Sequence, residues 1–145
     1  MKQLSEIYYK IEYEFHKDRG EGHKPIEKWE KEDILKWTAS KTTKENINEE
    51  CFIPELLAVI SQANNLSDGH LPRKVQIISI LLFLFSPQNM GLFTQIKTGE
   101  GKTIIVAMLA AIKALRGKYV DVLTSSEILA ERDANEKKNF ILCLI

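Results

Sequence analysis

Thr98, Gly99, Glu100, Gly101, Lys102 and Thr103 stand in a row, and their types match what a polyphosphate requires. A polyphosphate is held by closely packed backbone N–H groups and one fixed cation. Glycine tolerates positive φ and has no Cβ, so Gly99 and Gly101 let the backbone curl and approach an anion. A helix starting beyond them would aim its N-terminal N–H groups and the positive end of its dipole at the phosphates. Lys102 would reach the β- and γ-phosphates of a nucleoside triphosphate, and the Thr103 hydroxyl would ligate Mg2+. Thr98 and Glu100 lie within the loop and shape its approach. The full nucleotide-loop pattern asks for a glycine five residues before the second one, and Ile96 stands there. The plain alternative is a glycine turn that caps a helix.

Little else in the chain has ligand spacing. His16, His23 and His70 are scattered, and Cys51 and Cys143 form neither a metal pattern nor a dense disulfide framework. A reducing compartment such as the cytosol fits that cysteine usage best. The formal net charge is zero, so nothing global favours nucleic acid as a strongly basic domain would. The first residues lack the apolar core of a signal peptide. The longest apolar stretch, 77–85, is interrupted by Ser79 and falls far short of the ~20 residues a spanning helix needs.

The elements that must position the loop follow from periodicity. Leu4, Ile7, Tyr8, Ile11 and Phe15 recur at helical spacing and give an amphipathic helix. Gly20, Gly22 and Pro25 mark a turn, and Pro25 opens a second helix carrying Ile26, Trp29, Ile34 and Trp37. Residues 40–50 read as a polar loop. Pro54 opens a third helix with Leu56, Leu57, Val59 and Ile60. Residues 72–85 read as a mostly buried helix, 92–96 as a strand, 104–115 as a helix with Gly117 just past its end, and 119–123 as a second strand. Thr124 to Glu127 resembles a capping box before a last helix. The expected fold class is therefore α/β. Strand, phosphate loop, helix, strand and helix form one βαβ unit over 71–145, behind a helical extension over 1–70.

Residues 96–103 resemble the nucleotide loop of SecA, the motor ATPase of protein translocation, with the family's glutamate between the two glycines. Helicase-like motors often keep Thr-Gly-x-Gly-Lys-Thr without the first glycine. A second match runs over 120–134 and ends in Leu129-Ala130-Glu131-Arg132-Asp133-Ala134. The resemblance covers about 71–136 and implies a partial RecA-like P-loop lobe. It also implies an adenine-reading glutamine at Gln76, whose amide has the groups to pair with adenine N6 and N7; a helix-surface amide is the alternative. Arg73 stands where the family has an aromatic, and Lys74 where it has an aspartate. By analogy Arg132 and Asp133 would couple nucleotide state to a polypeptide; a helix salt bridge is the alternative. The resemblance further implies a cytoplasmic protein that binds the translocation machinery at the membrane periphery. The family's acidic motif, arginine finger and second nucleotide-binding half have no counterpart here. The expectation is thus a truncated, ATP-binding fragment without full ATPase activity. A helicase-like motor fragment and a non-catalytic nucleotide-binding fragment are the competing readings.

Overall fold

A computed structural model describes residues 2–41, 50–86 and 94–144. Among these described residues six α-helices follow in order: α1 Lys2–His16, α2 Lys31–Lys41, α3 Ile53–Asp68, α4 Lys74–Leu84, α5 Lys102–Leu115 and α6 Glu127–Leu142. Short 3-10 turns at Ile26–Lys28 and Glu50–Phe52 precede α2 and α3.

Helix α3 is the axis of the fold. Pro54 sits in its first turn, where a missing N–H leaves no hydrogen bond unmade. Leu56, Leu57, Ala58, Val59, Ile60 and Ala63 are wholly buried, so the helix is apolar around most of its circumference. Such a helix must be covered on several sides, and α1, α2, α5 and α6 all pack on it. Its few polar groups tie down the coverings. Gln62 donates from Nε2 to the Trp29 carbonyl at 2.9 Å and the Glu27 carbonyl at 3.2 Å, fixing the first 3-10 turn. Glu55 accepts from Trp37 Nε1 at 3.0 Å and pairs with Arg19 at 3.3 Å.

Helix α1 buries Ile11 and Phe15 and leaves Tyr9 and Tyr13 exposed, as its period requires. It also packs against α4. There the Lys74 ammonium lies 4.8 Å from the centre of the Tyr8 ring and 5.3 Å from that of Tyr9. Helix α5 buries Ile104, Ile105, Met108, Ala111, Ile112 and Leu115 along one face, against α4, α3 and α6. Helix α6 docks through its C-terminal half and the residues just past it, where Lys137, Phe140, Cys143 and Leu144 are buried.

The α/β expectation is not met. Every regular element among the described residues is helical, with no strand and no sheet. Residues 94–96 and 119–123 carry no regular structure; 92 and 93 lie outside the described residues. A strand exists only through the ladder it shares with a neighbour, and two short apolar runs are too few for a stable sheet. Both runs instead border a cleft against Val106, Leu109 and Ala110 of α5. Two smaller corrections concern helix starts. The second helix does not begin at Pro25: a 3-10 turn intervenes, and α2 starts at Lys31. The cap of α6 is Ser126, whose hydroxyl accepts the Leu129 N–H at a long 3.5 Å, while Thr124 turns its own hydroxyl onto the Ser126 carbonyl.

Candidate functional site

The 98–103 segment is a tight loop running into the start of α5. Gly99 has φ +85 and Gly101, the N-cap of α5, has φ +74. A Cβ on Gly101 would lie 2.5 Å from Gln76 Nε2, so a side chain at the second position requires that amide to move. No side chain caps α5. The amides of Gly101, Lys102, Thr103 and Ile104 have no acceptor among the described residues; the first N–H of the turn that is taken belongs to Ile105, at 3.5 Å from the Gly101 carbonyl. Four successive N–H groups at a helix start form a concave donor set. The Lys102 side chain is exposed and Thr103 is half-buried. Lys102 also borders a cleft of about 470 Å³ shared with Phe83, Ile96 and Leu123.

What shapes the loop from outside is the first turn of α4. Gln76 caps that turn with its side chain: the Arg73 N–H donates to Gln76 Oε1 at 2.8 Å, and the Gln76 N–H donates to the Arg73 carbonyl at 2.9 Å. Gln76 is 4% exposed, so it is no surface amide. Its Nε2 donates to the Glu100 carbonyl at 2.8 Å. The Arg73 guanidinium donates to the Gly99 carbonyl at 3.2 Å and pairs with the Glu100 carboxylate at 3.3 Å. Two successive loop carbonyls are thereby drawn toward α4. Across a trans peptide the following N–H points the opposite way. The Glu100 N–H closes a turn onto the Lys97 carbonyl at 3.3 Å, and the Gly101 N–H joins the donors of α5 on the far side.

Gln76 and the glycine loop, linked on the resemblance alone, are thus in direct contact. Arg132 and Asp133 are not part of this cluster. They pair with each other on α6, Nη2 to Oδ1 at 2.8 Å, and no hydrogen bond or ion pair among the described residues joins them to the loop. Arg73 is the participant that sequence reasoning did not assign. The available signal was two cations, Arg73 and Lys74, at a helix start with no acidic residue in its first turn. The helix dipole disfavours that arrangement unless partners compensate. No group of three or more His, Cys, Asp or Glu with metal-holding geometry occurs among the described residues. Among them, too, no helix is long and apolar enough to cross a membrane.

The SecA DEAD-like domain family matches residues 11–144. Protein translocase subunit SecA of Thermosipho africanus (strain TCF52B) is 36% identical over 100 residues, 69% of this chain and 11% of the relative. Protein translocase subunit SecA of Treponema denticola is 38% identical over 84 residues, 58% of this chain and 9% of the relative. Protein translocase subunit SecA 2 of Mycobacterium leprae (strain TN) is 39% identical over 82 residues, 57% of this chain and 10% of the relative. The chain therefore spans about a tenth of the length of these relatives.

Proposed function

Because this chain belongs to the SecA DEAD-like domain family, we propose that its 98–103 loop binds the phosphates of ATP, and that it does so as part of a protein-translocating motor. The observation that carries the reading is the run of four amides from Gly101 to Ile104 with no acceptor among the described residues. They stand at the positive end of α5, beside the exposed Lys102. An anion is stabilised there by directed N–H groups and the helix dipole together. Lys102 adds a full charge on the β- and γ-phosphates. The half-buried Thr103 hydroxyl is the group that would take Mg2+; the bound ion would supply further charge on the phosphate oxygens. The glycines fit this role, since a Cβ on Gly101 would strike the residue that braces the loop. A polypeptide client and a peripheral association with translocation machinery come with the family, whose relatives carry the name translocase.

The test is equilibrium binding of a fluorescent ATP analogue to the purified chain. Lys102→Ala is expected to weaken binding by at least about tenfold, the effect of losing a charge-assisted contact of ~1.5–3 kcal/mol. Thr103→Ala is expected to weaken it chiefly when magnesium is present. Unchanged affinity in a Lys102→Ala chain that retains its helical circular dichroism would remove the phosphates from this loop.

A further inference from the structure

Arg73 does not belong to the loop, yet it holds two of the loop's oxygens. Its guanidinium donates to the Gly99 carbonyl at 3.2 Å and pairs with the Glu100 carboxylate at 3.3 Å. Glu100 is an awkward residue for an anion site. It places a negative charge between the two glycines whose amides are to meet a polyphosphate, and like charges at close range oppose binding. The same turn of α4 has a second cation in Lys74, but the Tyr8 and Tyr9 rings of α1 engage that one. Arg73 is thus the cation of this turn that faces the loop, and an Arg fork can hold a carbonyl and a carboxylate at once.

We infer that Arg73 is a positioning residue for the phosphate site. It neutralises the Glu100 carboxylate and turns the Gly99 and Glu100 oxygens toward α4, which leaves the amide side of the loop electropositive. Without the guanidinium, the Glu100 charge is freed into the field that the phosphates enter, and the Gly99 carbonyl loses its anchor. The effect must scale with the charge of the ligand. It must also shrink when Glu100 carries no charge. This inference rests on the phosphate reading above.

Two properties separate it from a merely structural role. A loop that had simply loosened would bind every nucleotide less well by a similar factor, whatever stands at position 100. Arg73→Gln is expected to weaken ATP by about three- to tenfold, somewhat above the usual worth of an exposed pair because the ligand is multiply charged. The loss should be smaller for ADP and smallest for AMP. In a Glu100→Gln chain the same replacement should cost at most about twofold, and Arg73→Lys should restore part of the affinity by returning the charge without the fork. The experiment is competition by ATP, ADP and AMP against a fluorescent ATP analogue, in the full chain and in the Arg73→Gln, Glu100→Gln, double and Arg73→Lys variants. Lys102→Ala serves as the reference. Equal losses for all three nucleotides, or an undiminished loss in the Glu100→Gln background, would overturn the role of Arg73 while binding that depends on Lys102 survives. Absence of Lys102-dependent binding in the unsubstituted chain would overturn the phosphate reading, and this inference with it.

Discussion

Gly99 and Gly101 share a backbone region but not their surroundings. A Cβ on Gly99 meets nothing within 4 Å, whereas one on Gly101 lies 2.5 Å from Gln76 Nε2. Alanine at either position takes on left-handed strain of about 1–2 kcal/mol. Alanine at 101 must also displace a buried amide from the Glu100 carbonyl, and a buried polar group left without its partner costs a further ~1–3 kcal/mol. Gly99→Ala is therefore expected to lose about 1–2 kcal/mol in urea unfolding and Gly101→Ala about 2–5 kcal/mol. Equal losses would mean that Gln76 does not brace the loop. The glycines, Lys102 and Thr103 were legible from the sequence because their chemistry is a property of residue type at short spacing. The contacts of Arg73 were not: Gly99 lies 26 residues from it, and no local pattern reveals which surface a helix start will face.

At the scale of elements, the attachment of α6 to α3 has its own chemistry. Lys137 is 8% exposed and its ammonium lies 2.5 Å from Asp68 Oδ2 at the end of α3. Burial works to raise the Asp68 carboxyl, but hydrogen bonds from Lys137 and Ser67 and the charges of Lys137 and His70 outweigh it and hold the group below its ordinary range. A carboxyl whose folded value is depressed stabilises the native state fully above its unfolded value of about 3.9, and that contribution fades as pH falls through the lower folded value. Urea midpoints measured from pH 6 downward should fall in the acid range, and the fall should be shallower in Asp68→Asn. An identical slope in the variant would show that this pair is not a source of the acid sensitivity. Lys137→Met should cost about 1.5–3 kcal/mol at neutral pH, since it removes the charged partner of a part-buried carboxylate and leaves it the Ser67 hydroxyl. The helices themselves were readable, because a 3.6-residue apolar period is a local signal: Ile11 and Phe15, or Ile105, Met108 and Ile112, fall where the period places them. The strands were not. Tyr119, Val120 and Val122 have the side chains of a strand, but a ladder depends on a partner whose presence no local pattern reports, and here those residues stand exposed.

At the scale of the whole molecule, holding a nucleotide and turning it over are separate tasks, and the phosphate reading of the 98–103 loop concerns the first. Phosphoryl transfer is catalysed by positioning and by stabilising charge that develops in the transition state. On the phosphate reading, Lys102, the Thr103 hydroxyl and the four amides without acceptors among the described residues would hold ground-state phosphates. A water-positioning carboxylate would have to lie near them, yet the acidic residue closest in sequence, Glu100, is paired with Arg73. Arg132 is paired with Asp133 on α6. An arginine delivered to the transferring phosphoryl group is worth ~10³–10⁵ in rate in related NTPases, and the guanidinium that lies at the loop, Arg73, is engaged by the Gly99 carbonyl and the Glu100 carboxylate. Interactions made equally with substrate and transition state tighten binding without raising turnover. A motor-like rate would need a water-positioning carboxylate and an unengaged guanidinium at the transferring phosphate, and Glu100 and Arg73 are paired with each other. Purified as it stands, the chain is expected to bind ATP and to release phosphate near the background rate. Phosphate release measured beside a Lys102→Ala control decides the matter, because a contaminating ATPase would persist in the control. Robust turnover that disappears with Lys102 would show that the loop and its neighbours assemble a complete catalytic site after all.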